Sequence, residues 1–92
     1  MIVYHVTGLN KLLRYKNIGK ILPPVRAWKN IQEAERQRSP TGLSWAFSKQ
    51  TGRPIILRLK FPDNVLPLAG HKEAVVSYKS YSIENILGKG EY

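Results

Sequence analysis

A change of hydrophobic period at Thr7-Gly8 constrains this chain more than any other feature. Ile2 to Val6 alternates apolar and polar side chains and is β-branched, the pattern of a strand with Tyr4 and His5 at its exit. Beyond Thr7 and Gly8, an apolar series at Leu9, Leu12, Leu13 and Ile18 takes over with helical spacing. A strand therefore hands over to a helix across a two-residue turn. Gly19 is placed to cap that helix, and Pro23-Pro24 keeps it from resuming.

The rest of the chain reads as an alternation of short elements. Lys20 to Trp28, interrupted by two prolines, suits a connection or a brief edge strand. Asn30 followed by Glu33 has the spacing of an N-cap with its reciprocal carboxylate, which predicts a short, mostly exposed helix to Arg38, ended by Ser39-Pro40-Thr41-Gly42. Leu43 to Gln50 fits a strand through Leu43, Trp45 and Phe47 and fits a helix equally well through Ala46 and Ser48. Thr51 to Pro54 is a turn. Ile55 to Phe61 is the clearest strand, with Leu57, Leu59 and Phe61 on one side and Arg58 and Lys60 on the other, although Ile56 calls for partial cover there too. Val65 to Leu68 is a short apolar piece, Ala74 to Lys79 a third strand, and Ser82 to Ile86 closes one helical turn. Residues 87–92 read as a loose tail.

With 92 residues the chain fits one compact domain around one core. The predicted fold is α+β, an N-terminal strand-helix unit followed by a mainly antiparallel twisted sheet built largely from the second half. Lysine and arginine number 15 against six acids, a formal net charge of +9. That balance favours an anionic partner such as nucleic acid, a nucleotide or an acidic protein surface, the plain alternative being a lysine-rich solvated surface. There are no cysteines, which removes disulfides, thiol catalysis and cysteine-ligated zinc. Two histidines without an HExxH spacing leave no metal site to expect. The apolar runs fall short of the about 18 residues that span a bilayer, so no membrane partner and a cytoplasmic location are expected.

Two places offer chemistry. Side chains at positions 5 and 7 of an extended strand face the same way, so His5 and Thr7 can present a ring nitrogen and a hydroxyl to one ligand, a ribose or a carboxylate. The competing reading is a half-buried histidine whose ring bonds a backbone carbonyl while Thr7 begins the turn. Glu73 lies where the chain leaves a glycine-containing loop and enters a strand, and it lacks the capping or turn duty that the sequence gives Glu33, Asp63 and Glu84. A carboxylate there can hold a sugar hydroxyl and stabilise positive charge at an anomeric carbon. Its competing reading is an exposed acid balancing Lys72. Aromatic and basic residues interleave in Arg26-Ala27-Trp28-Lys29 and Tyr78-Lys79-Ser80-Tyr81, an arrangement able to stack bases beside phosphate contacts, while Trp28 and Trp45 equally suit the core or its edge.

Tyr4-His5-Val6-Thr7-Gly8, then Ile18-Gly19-Lys20-Ile21-Leu22-Pro23, the strand Pro54 to Pro62, and Glu73-Ala74-Val75-Val76 followed by Ile83-Glu84-Asn85-Ile86 together resemble the small ADP-ribosyltransferase-like fold. That group includes bacterial DNA-modifying toxins and RNA 2'-phosphotransferases. The resemblance implies NAD as substrate, with the ribose held by His5, transfer of ADP-ribose supported by Glu73, and Tyr4, Thr7 and Gly8 beside the dinucleotide. It implies further that His5 and Glu73 stand on adjoining strands and line one nucleotide-sized hollow, with nucleic acid as a candidate acceptor.

Overall fold

Side-chain alternation builds a sheet whose centre comes from the N-terminal half. The computed structural model describes residues 1–38 and 54–91. Its elements are β1 (Ile2–Gly8), α1 (Leu9–Ile18), β2 (Lys20–Ile21), β3 (Val25–Trp28), α2 (Ile31–Arg38), β4 (Pro54–Lys60), β5 (Leu66–Pro67), β6 (Ala74–Ser77), β7 (Tyr81–Ser82), a 3-10 turn at Ile83–Asn85 and β8 (Gly88–Glu91). Six strands form one sheet in the order β5-β6-β3-β1-β4-β8, with every neighbouring pair antiparallel, and β2 pairs with β7 beside it. The described residues thus form a small α+β domain with an antiparallel sheet and two helices.

One face of the sheet carries the main core. Val3 of β1, Val25 and Ala27 of β3, Ile55, Leu57 and Leu59 of β4 and Val75 of β6 are all buried there, together with Leu12 and Tyr15 of α1. Residues that alternate with them, Ile56, Ala74 and Val76, are buried too, so the second face also needs cover. The helix α2, which touches β1, β3 and β4, brings its fully buried Ala34 to that face. The small β2-β7 ribbon is tied to the sheet through Tyr81, whose hydroxyl accepts the Lys60 N–H at 3.0 Å and donates to the Asn85 carbonyl at 2.7 Å.

Several sequence expectations change here. No turn separates β1 from α1, because Thr7 and Gly8 continue the ladder opposite Ile55 and Pro54, and the helix starts directly from an extended Gly8. The buried face of α1 is Leu12 with Tyr15, whereas Leu13 and Ile18 are exposed. Gly19 does cap the helix, at φ 91° and with its N–H on the Tyr15 carbonyl at 2.8 Å; that left-handed geometry favours glycine. Residues 25–28, expected in a connection or an edge strand, form β3 inside the sheet, paired with β6 along its length. The expected loose tail is instead the edge strand β8, paired with β4 from Ile55↔Glu91 to Arg58↔Gly88. Pro54, expected in a turn, opens β4. The expectations for 39–53, including the Leu43–Gln50 segment and Trp45, lie outside the described residues.

Candidate functional site

On β1, alternation places Val3, His5 and Thr7 toward the core face and turns Tyr4 and Val6 to the other. His5 stands opposite Leu57 and Thr7 opposite Ile55, two fully buried hydrocarbons. The strand therefore changes from apolar to polar in the middle of a dry layer. Between β1 and β3 the ladder consists of the single pair Tyr4↔Trp28, and the Arg26 carbonyl oxygen is taken by the His5 ring, with Nδ1 at 2.6 Å.

That contact assigns the ring's protonation. A carbonyl oxygen only accepts, so Nδ1 carries the hydrogen and, in the neutral ring, Nε2 keeps its lone pair. Burial holds the His5 pKa below its ordinary 6.5, opposed by the bond to Arg26 and helped by the nearby Lys11 ammonium. The residue as a whole keeps some surface, but Nε2 itself is closed from solvent. Among the described residues, Nε2 of His5 and Oγ1 of Thr7 are the buried side-chain polar atoms without a hydrogen-bond partner. Thr7 is only 4% exposed. Leaving such an atom unsatisfied costs about 1–3 kcal/mol, and two stand two residues apart on one face.

A pH dependence follows from the lowered pKa. The unfolded chain takes up a proton at His5 near 6.5 while the folded chain resists it, so the unfolded state binds more protons between the two values. The stability contributed by a neutral His5 is complete above the unfolded pKa and is lost as pH falls through the folded one. Urea unfolding of wild type and His5→Gln at several pH values below neutrality checks this. Wild type should lose stability faster on acidification, and parallel curves would contradict the assignment.

Glu73 occupies the turn before β6 and has a structural duty that its sequence context does not reveal. Its carbonyl accepts the Lys29 N–H at 2.7 Å, and its carboxylate Oε2 accepts from Asn30 Nδ2 at 3.3 Å. Asn30 in turn accepts the Glu33 N–H at 2.8 Å through Oδ1, so Glu73 steadies the residue that caps α2. The expected reciprocal partner, the Glu33 side chain, pairs with Arg36 at 3.3 Å.

His5 and Glu73 are not on adjoining strands. β3 lies between β1 and β6, about 10 Å across two strand spacings, and Glu73 is displaced a further two residues, about 6–7 Å, along the strands from the Val75 that stands level with His5; the two side chains hold different partners. Tyr4 belongs to the opposite face from His5 and Thr7. Gly8 is buried where β1 meets α1. Trp28 is half-buried, with the His71 ring edge-on at 5.6 Å.

No family model, curated protein or solved structure matches this chain. The site therefore stands on its own geometry. No helix among the described residues is long and apolar enough to cross a membrane.

Proposed function

We propose that this protein binds NAD or a related nucleotide as an ADP-ribosyltransferase-like enzyme, working in the cytoplasm where that substrate is held. The observation that carries the reading is the pair of orphaned atoms, His5 Nε2 and Thr7 Oγ1, on one face of the central strand. A bare imidazole nitrogen accepts hydrogen bonds and a threonine hydroxyl both gives and accepts them. Their natural complement is a sugar diol, whereas a carboxylate or phosphate brings no hydrogen to Nε2. Both atoms are closed from solvent, so the ligand must part the side chains that cover them.

In this reading NAD supplies a glycosidic bond whose nicotinamide leaves with the bonding electron pair. His5 and Thr7 orient the ribose. Glu73 faces the positive charge that develops at the anomeric carbon, which requires its carboxylate to exchange Asn30 for the substrate and the bound ribose to draw it across β3, the strand that separates it from His5. An acceptor then forms the new bond to that carbon and gives up its proton.

The test is NAD turnover by wild type and Glu73→Gln. The amide keeps an oxygen that can accept from Asn30, so the fold is retained while the charge is lost. Turnover should fall by about 10²–10³-fold, with NAD still raising the melting temperature of both proteins. Absence of any NAD-induced shift, or equal turnover in the two, would sink the reading.

A further inference from the structure

The strand register sets a row of residues abreast on the sheet face that His5 and Thr7 do not use. Ala74, Trp28, Tyr4, Arg58 and Gly88 lie directly opposite one another on β6, β3, β1, β4 and β8. Directly opposed residues share a face and stand about 5 Å apart. The centre of the row is thus Trp28, Tyr4 and Arg58 side by side. Arg26, two residues from Trp28, and Lys60, two residues from Arg58, fall on the same face.

Exposure and charge along the row differ from those of the core face. Arg26, Arg58 and Lys60 are exposed, while Tyr4 and Trp28 are half-buried. The helix α2 packs on this same face and closes it at Ile56, 3% exposed, while the face opens toward Ile2, 41% exposed. Gly88 offers no side chain at the end of the row. The Arg58 Nε lies 4.0 Å from where a Cβ of Gly88 would stand, so the Arg58 side chain passes beside the edge strand β8. Among the described residues neither Arg26 nor Arg58 has a carboxylate within ion-pair distance, and Asp63, which lies near Lys60, is held by the N-terminal ammonium at 3.0 Å. The patch is therefore cationic, with Arg26 and Arg58 unpaired by any carboxylate among the described residues, in a chain of net charge +9.

We propose that this face binds single-stranded nucleic acid, with Tyr4 and Trp28 against base faces and Arg26, Arg58 and Lys60 at phosphates. Two aromatic residues abreast on neighbouring strands, flanked by cations, give a platform for bases that are not already stacked. A duplex hides those base surfaces and offers only its phosphates. An acidic peptide would use the cations and leave the rings idle. The proposal does not depend on NAD, because the residues involved point away from His5 and Thr7.

The experiment titrates the full chain with a short fluorescein-labelled oligo-dT strand and with a hairpin duplex of equal length, across a range of salt. Two triple variants carry equal loss of charge: R26S/R58S/K60S on this face, and R14S/K16S/K20S on and just after α1, which packs on the other face and leaves these side chains exposed. Wild type should prefer the single strand. R26S/R58S/K60S should flatten the plot of log affinity against log salt by about 2, while R14S/K16S/K20S keeps the wild-type slope. Trp28→Leu should weaken the single-strand complex by about 5- to 100-fold. If that variant fails to fold, the two triples, built only at exposed positions, decide the matter. Equal losses in both triples, duplex binding as tight as single-strand binding, or no binding at all would overturn the proposal. An NAD-induced melting shift retained by both triples would show that failure here is separate from failure of the nucleotide reading.

Discussion

Leu57→Ala is expected to lower the unfolding free energy by about 2–5 kcal/mol, a large part of the about 5–15 kcal/mol that a domain commonly has. Leu57 is fully buried at the middle of β4. It faces His5 across the strand pair, so truncation opens a hole between the core and the polar end of β1. The melting temperature should drop by about 10 °C or more, while Leu57→Met, which keeps the volume, should cost less than about 1.5 kcal/mol. Urea titrations of the two variants check both values. A tolerated alanine would mean that the core does not close over this position.

Thr7→Val should do the opposite to stability and harm to binding. The two side chains have nearly the same shape and both suit a strand, so the substitution removes a buried hydroxyl without leaving a hole. Because Oγ1 has no partner among the described residues, the variant should gain about 1–2 kcal/mol. Its affinity for NAD should fall by about tenfold at most, the worth of one neutral hydrogen bond. A hydroxyl serving the fold would behave in reverse, with valine destabilising. Thermal denaturation and an NAD titration of the same preparation therefore tell a ligand-facing group from a structural one.

These effects show which parts of the molecule could be read in advance. β4 was legible because its alternation survives intact, with Leu57 and Leu59 in and Arg58 and Lys60 out. The partial cover expected at Ile56 is realised in full, since that residue is 3% exposed. β3 was not legible: prolines precede it and Arg26 and Trp28 disguise it, yet Val25 and Ala27 fit the core. Two strands that each lack a partner on one side gain more from taking it in than its local propensity costs. β8 is hidden in the sequence for a related reason. Its Gly-Lys-Gly sequence has little strand preference of its own, and its pairing is decided by the backbone that β4 offers.

The site was half legible. The competing reading of His5 holds for the ring, whose Nδ1 bonds the Arg26 carbonyl, and fails for Thr7, which continues the strand opposite Ile55 instead of beginning a turn. The Nδ1 contact also frees Nε2, so the structural reading and the ligand reading are compatible. Glu73 shows the limit of local inference. Its partner Asn30 lies 43 residues away, and nothing in the sequence around either residue announces the contact. The split between the two faces of β1, with Tyr4 on one and His5 and Thr7 on the other, follows directly from strand alternation. It becomes visible once β1 is seen to run unbroken through Thr7.

At neutral pH the His5 ring is neutral and donates from Nδ1 to the Arg26 carbonyl, which in the proposed function leaves Nε2 for a ligand. Nitrogen NMR of the His5 imidazole at neutral pH, recorded with and without NAD, tests it most directly. A protonated Nδ1 and a bare Nε2 are expected in the free protein, with the Nε2 resonance moving as NAD saturates and Nδ1 staying in place. A ring protonated at Nε2, or an Nε2 signal unmoved by saturating NAD, would contradict it.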